Sequence, residues 1–167
     1  MKKYFSLMFA VSLFLTTHLF GQLRTPSASP AATVMQTVGL TQVTVEYSRP
    51  SMKGRAIFGE DGLVPFGKVW RTGANSATKI EFSEDVKVAE HDLKAGAYAI
   101  LSVPGSEEWE VMFFPYESSN WGSYPEKTPA ATVKVTAGST SSAYDTFTIE
   151  LAHPSNCGAH LVMTWDN

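Results

Sequence analysis

Five cations within residues 48–78 are the side chains of this chain best suited to bind an anion. They are Arg49, Lys53, Arg55, Lys68 and Arg71, and with two acidic residues in the same stretch the segment has a formal charge of +3. Guanidinium groups are planar and permanently charged, and they bind carboxylate, sulfate or phosphate with paired hydrogen bonds. We call residues 48–78 the basic loop, and the sequence predicts a ligand site there.

Three more side chains complete the predicted ligand-binding set of Arg49, Arg55, Trp70, Arg71, Asn75 and Trp121. Trp70 belongs to the basic loop, and Trp121 lies in a second polar loop, SSNWGSYPEKTP. Either indole could stack on a sugar or another flat ligand. Asn75 could donate hydrogen bonds to the same ligand.

The same residues also have a structural interpretation. A loop of about thirty residues is uncommon unless it is functional or internally packed. Its arginines could pair with Glu46, Glu60, Asp61 or Glu81, and its apolar residues Ile57, Phe58, Phe66 and Trp70 could enter the core. Asn75 could close an Asx-type turn, and Trp121 could be an anchor of its loop.

A second group, His153, Cys157 and His160, has ligand types that suit zinc or copper. Three ligands in one hairpin are fewer than the four of a closed structural zinc site. On the strand pattern, His160 falls on the face opposite Leu161 and Met163, which points it to solvent. We therefore predict no metal and no cofactor, with this group as the weak candidate.

Catalytic motifs are missing from the sequence. There is no G-x-S-x-G nucleophile elbow, and His91, His153 and His160 are not near a serine in a hydrolase-like context. The sequence therefore favours a protein that is not an enzyme. The alternative is a hydrolase in which Arg71 and Asn75 stabilise a developing negative charge.

The N-terminus has the pattern of a secretory signal peptide. Two lysines precede an apolar run from Tyr4 to Phe20, which Gly21 closes. The run is shorter and more polar than a membrane span needs. We predict a signal peptide over residues 1–21, a flexible lead or extended arm over 22–33, and an exported protein, periplasmic or secreted, without stable membrane insertion after cleavage.

Charge and cysteine content limit the partners. Removal of residues 1–21 takes away two lysines and leaves 11 basic against 16 acidic residues, a formal charge of −5. Proteins that bind nucleic acid need a net basic surface, so no nucleic-acid partner is expected. The single cysteine, Cys157, allows no intramolecular disulfide, so stability must come from a hydrophobic core.

Alternating polar and apolar residues predict an all-β fold. Val43, Val45 and Tyr47 alternate with polar residues, and so do Phe147 and Ile149. Further β-rich runs cover 79–83, 86–88, 97–103, 109–114, 131–136 and 159–165. About eight short strands with close turns indicate a single antiparallel β-sandwich or jelly-roll-like domain over residues 34–167, with one long ordered loop.

Several blocks of sequence resemble a known family. The most specific are Tyr47-Ser48-Arg49-Pro50, Lys53-Gly54-Arg55 and Trp70-Arg71-Thr72-Gly73-Ala74-Asn75. They are similar to the bacterial exported family called domain of unknown function 2911, from about Ser29 to Trp165. The resemblance implies an exported, mostly β domain and no particular activity. The turn from His153 to His160 departs from the family pattern.

Three functions are therefore open. The first is a non-catalytic binding module for a small anionic or carbohydrate ligand, held by the basic loop. The second is the hydrolase-type enzyme that uses the same loop. The third is an envelope protein that acts through a protein partner, which the sequence does not identify.

Overall fold

The computed structural model describes residues 25–167 and consists of ten strands and one 3-10 turn. The strands are β1 (Ala31–Val38), β2 (Thr41–Ser48), β3 (Thr78–Phe82), β4 (Val86–Val88), β5 (His91–Leu93), β6 (Gly96–Val103), β7 (Glu108–Pro115), β8 (Ala131–Thr136), β9 (Tyr144–Ala152) and β10 (His160–Asp166). The 3-10 turn is Trp121–Ser123. None of the described residues forms a helix long and apolar enough to cross a membrane.

The largest element is an antiparallel sheet of six strands in the order β1-β2-β3-β6-β7-β8. A hairpin of β9 and β10 forms a second, two-stranded sheet, and β4 with β5 forms a third. The predicted all-β antiparallel fold is thus confirmed. The predicted signal peptide, residues 1–21, lies outside the described residues, as do residues 22–24 of the predicted lead.

The core lies between the six-stranded sheet and the β9–β10 hairpin. Strand alternation places Val45, Ile80 and Ile100 on the inner face of the large sheet, opposite Phe147 and Ile149 of β9. Each of these side chains is at most 2% exposed. Burial of a large aliphatic or aromatic side chain contributes about 1.5–3 kcal/mol, so these alternating residues stabilise the two-layer arrangement.

The outer face of the six-stranded sheet is also covered in part. Leu101 and Phe114 point away from the main core and pack with Tyr124 and Trp121. Tyr124 is fully buried, and its hydroxyl accepts from the backbone N–H groups of Glu117 and Ser118. The segment after β7 therefore folds back over the sheet.

The first strand starts earlier than the sequence predicted. The domain was expected to begin at Val34, after a lead that included residues 31–33, whereas β1 begins at Ala31. Ala31 pairs with Ser48 in register, and Ala32 packs against the core. Residues 31–33, predicted as part of a flexible lead or an extended arm, thus belong to a strand paired with β2.

Candidate functional site

Arg49, a predicted ligand residue, ties the basic loop to the second sheet. Its Nε donates to the carbonyl of Phe147 at 3.0 Å, and its Nη2 donates to Thr148 Oγ1 at 2.7 Å. Next to it, the N–H of Phe147 donates to the carbonyl of Pro50. The guanidinium thus extends the hydrogen bonding between the loop and β9, and two of its donors are used inside the protein.

Arg55 is used in a similar way, but on the surface. Its Nε donates to Met52 O at 2.9 Å and its Nη2 to Ser51 O at 2.7 Å, while the residue itself is exposed. These bonds close a local turn at Lys53 and Gly54, both of which have positive φ. Arg55 stabilises its own loop, and neither bond connects it to another predicted ligand residue.

Trp70 lies inside the core. It is 8% exposed, stacks on Trp165 at 5.8 Å between ring centroids, and donates its indole N–H to Gly73 O at 3.0 Å. A backbone bridge to Ser102 holds the residue against β6. The ring is therefore closed to a sugar arriving from solution, and the structural interpretation describes its surroundings.

Asn75 lies in a turn, and its side chain bonds to distant residues instead of forming the predicted Asx-type turn. Its φ is 59°, in the left-handed region that asparagine tolerates better than most residues. Its Nδ2 donates to Ser29 O and to Ser48 Oγ, both at 3.2 Å. Asn75 thereby fastens the segment before β1 to the end of β2.

Arg71 and Trp121 are the two predicted ligand residues that the structure brings together. The Arg71 guanidinium carbon lies 5.4 Å from the centroid of the Trp121 ring. Within residues 25–167, the buried Arg71 Nε has no hydrogen-bond acceptor. Trp121 is half-buried and packs with the outer-face cluster, so it anchors its loop while one part stays accessible.

The expected pairing of arginines with carboxylates does not occur. The ion pairs of the described residues are all made by lysines: Lys79 with Glu46 and Glu81, Lys94 with Asp85, Lys127 with Glu117, and Lys134 with Glu108. Backbone carbonyls and a hydroxyl take the place of acids for Arg49 and Arg55. They satisfy directed N–H donors without burial of a second charge.

Two lysine pairs change the local titration. A hydrogen bond from Lys94, with a second from the Ala95 N–H, lowers the pKa of Asp85, and the same Lys94 bond raises the pKa of Lys94. A hydrogen bond to Glu81 raises the pKa of Lys79. Lys94 and Asp85 join the two ends of the β4–β5 hairpin, whereas Lys79 and Glu81 lie on the same strand, β3.

The histidines of the weak metal candidate do meet. The rings of His153 and His160 are 5.4 Å apart between centroids. Cys157 is exposed, and its Sγ lies 3.7 Å from Ser155 Oγ. Across residues 25–167, no three His, Cys, Asp or Glu side chains are placed to hold a metal ion together.

A large cleft, absent from the sequence predictions, separates the two sheets along β10. Its volume is about 1040 Å³. The lining is mainly apolar, with side chains that the core leaves half-exposed, among them Phe58, Trp109, Val133, Leu151, Leu161 and Met163. Ligand pockets typically measure about 300–1,000 Å³, so the cleft is large enough for a small molecule.

The cleft follows from the unequal widths of the sheets. Strands are spaced about 4.8 Å apart, so a six-stranded sheet is about 24 Å wide, and the β9–β10 hairpin covers only part of it. Among the described strands, β10 pairs with β9 alone, and β8 is one of the two edge strands of the large sheet. The inner face near β8 therefore stays open, and Val135 there is 40% exposed.

The comparisons with known proteins give a family and no activity. A model of the family described as "Protein of unknown function (DUF2911)" matches residues 29–167. Searches of curated proteins and of solved structures each found no match. The matched range includes the basic loop and every strand that lines the cleft. The chain therefore belongs to the DUF2911 family.

Proposed function

We propose that this protein is a non-catalytic binding module that holds a small apolar ligand in the cleft between its two sheets. The observation that carries the proposal is the cleft itself, about 1040 Å³ in volume with a mainly apolar lining. An apolar concavity of this size is a favourable site for a small ligand, because desolvation of both surfaces drives binding. The basic loop becomes part of the wall, through Phe58 and Phe66.

The side chains around the cleft support binding without chemistry. Asp85 is paired with Lys94 at 2.7 Å, and Lys87 is exposed between the half-buried Val86 and Val88 of β4. Among the described residues, the hydrogen-bond partner of the Cys157 side chain is the Ser155 hydroxyl, and no hydrogen bond joins Cys157 to His160, the histidine of the lining. The lining thus favours retention of a ligand over its conversion.

The test is a titration of the purified protein with N-phenyl-1-naphthylamine, a neutral dye that fluoresces in apolar surroundings. We expect saturable enhancement at a stoichiometry of one. Val135→Trp, which places a bulky ring in the cleft, should weaken binding at least tenfold. Met35→Trp is the matched control, because Met35 is an exposed apolar strand residue outside the cleft, 63% exposed on β1.

Two results would contradict the proposal. The first is no saturable enhancement with the unchanged protein. The second is equal binding by Val135→Trp and Met35→Trp, which would place the dye elsewhere. Thermal unfolding of both variants checks that each is folded.

A second candidate function keeps the predicted anionic or carbohydrate ligand and moves it to Arg71 and Trp121. The specific observation is the Arg71 Nε without an acceptor beside a half-buried indole. Citrate and a panel of neutral glycans serve as probes in a thermal-shift assay. Stabilisation that Arg71→Met removes would support this candidate, and no stabilisation by any probe would refute it.

The cellular setting is proposed from the sequence. The signal-like pattern of residues 1–21 supports export, which would place the cleft in the periplasm or outside the cell. Detection of the mature chain in a periplasmic or culture fraction, with its new N-terminus read by sequencing, tests this point. Retention in the cytoplasm with an intact N-terminus would contradict it.

A further inference from the structure

We infer that the ligand of the cleft contains a neutral flat ring system, which binds against Phe58 and Trp109. The inference rests on the proposed function and specifies the class of ligand. A connected group of aromatic side chains lies behind one part of the cleft wall. Phe58, Trp109 and Trp165 of this group line the cleft, and of these Phe58 and Trp109 keep part of their surface exposed.

The aromatic group is built around Trp70. Its ring stacks on Trp165 with an interplanar angle of 20° and meets Trp109 edge to face at 6.1 Å. Phe58 in turn contacts Trp109 at 5.1 Å and Trp165 at 6.2 Å, again edge to face. Each ring is thus held by at least two others, and the wall is rigid before any ligand arrives.

Burial divides these rings into a support and a contact surface. Trp70 is 8% and Trp165 6% exposed, which places them in the core. Phe58 and Trp109 pack against that core but are only partly buried. The basic loop, which carries Phe58, and β7, which carries Trp109, therefore present two ring surfaces to the cleft from two different elements.

A rigid aromatic wall discriminates between ring-shaped and non-planar ligands of equal size. Aromatic pairs in stacked or edge-to-face geometry gain free energy beyond the area they bury. A pre-organised wall loses little conformational freedom when the ligand binds. A saturated ligand gains only the burial of its area. Among the other aromatic residues of the lining, Phe82, Phe113 and Trp165 are buried, and Phe66 makes no ring contact with this group within residues 25–167. The aliphatic lining residues, such as Val133, Leu161 and Met163, make no such distinction.

The experiment compares two alcohols with the same carbon skeleton, 2-naphthol and decahydro-2-naphthol, as competitors of N-phenyl-1-naphthylamine on the purified protein. The first is planar and aromatic, and the second is saturated and puckered. We expect 2-naphthol to bind about tenfold more tightly. Trp109→Leu and Phe58→Leu should each reduce that preference, and Met163→Leu, an aliphatic change in the same cleft, should leave it unchanged.

The outcomes separate this inference from the proposed function. Equal affinity for the two alcohols, with the dye still bound, would overturn the inference and leave the proposed function standing. A preference for 2-naphthol that survives in both leucine variants would also overturn it. Absence of dye binding would contradict both the inference and the proposed function. If Trp109→Leu fails to fold, Phe58→Leu provides the same comparison from the other side of the wall.

Discussion

At the scale of single residues, the arginines of the basic loop hold backbone in place more than they balance charge. Arg49 uses two donors on β9, and Arg55 uses two on its own turn. A guanidinium can serve several carbonyls at once because its five N–H groups point in fixed directions. The positive charge that makes the loop conspicuous in the sequence is thus compatible with a structural role.

This structural role predicts that substitutions of Arg49 and Arg55 lower the free energy of unfolding by different amounts. Arg49→Met keeps most of the apolar stem but removes both donors to the partly buried Phe147 carbonyl and Thr148 hydroxyl, so we expect the free energy of unfolding to fall by about 2 kcal/mol. Arg55→Met removes exposed bonds and should cost about 0.5 kcal/mol or less. Urea unfolding measures both. Equal losses would contradict the tie between the loop and β9.

At the scale of elements, the small sheet is fastened to the large one by directed bonds as well as by packing. The hydroxyl of Tyr47, on β2, accepts from the N–H of Ile149 at 2.9 Å and donates to its carbonyl at 3.4 Å. Tyr47 also packs edge to face on Phe147 at 5.8 Å. One side chain thereby fixes β9 above β2.

Tyr47→Phe measures how much the Tyr47 hydroxyl contributes to the free energy of unfolding. The ring and its packing remain, while the buried N–H of Ile149 loses its acceptor, so we expect a loss of about 1–3 kcal/mol in the free energy of unfolding. The control is Tyr144→Phe, since Tyr144 is 44% exposed and should change little. A Tyr47→Phe protein as stable as the unchanged protein would show that packing alone joins the sheets.

We expect the stability of the β4–β5 hairpin to depend on pH through Asp85. The pKa of Asp85 is lowered in the folded protein from an ordinary value of 3.8. The ionised carboxylate therefore stabilises the folded state relative to the unfolded state. This contribution is present above that ordinary value and is lost as pH falls through the folded pKa. Asp85→Asn should therefore lower Tm slightly at pH 7, and the difference should vanish well below pH 3.8.

A matched variant isolates the effect of the ion pair. Glu126→Gln removes one negative charge from an exposed residue that forms no ion pair within residues 25–167. Its Tm difference from the unchanged protein should be smaller than that of Asp85→Asn at pH 7. A Tm difference for Asp85→Asn that persists in acid would indicate a structural cause other than the bond to Lys94.

Most of the strands could be predicted from the sequence. Alternation in β2 and β9 correctly placed Val45, Tyr47 and Ile149 inside, because a period of two exposes one face of a strand. The strand β5, His91–Leu93, was not predicted, since two of its three residues are polar and it pairs, among the described strands, with β4 alone. A local sequence pattern does not predict a short strand that is stabilised mainly by its pairing with another strand.

At the scale of the whole molecule, the cleft could not be predicted, because it is a product of strand order. Leu161 and Met163 have the same alternating pattern as fully buried core residues, and only the single neighbour of β10 leaves them half-exposed. The exposure of the predicted site residues could not be read from the sequence for the same reason. Trp70 is as suitable for stacking as Trp109 by type, and their different exposure is decided by long-range packing.

The central claim is that ligand binds between the sheets and not on the basic loop surface. The most direct test is an NMR titration of the isotopically labelled protein with N-phenyl-1-naphthylamine, followed through backbone amide and indole N–H signals. We expect shifts along β8 and β10 and at the indole of Trp109. Shifts confined to residues 71–78 and to the Trp121–Ser123 turn would contradict the account and place binding at Arg71.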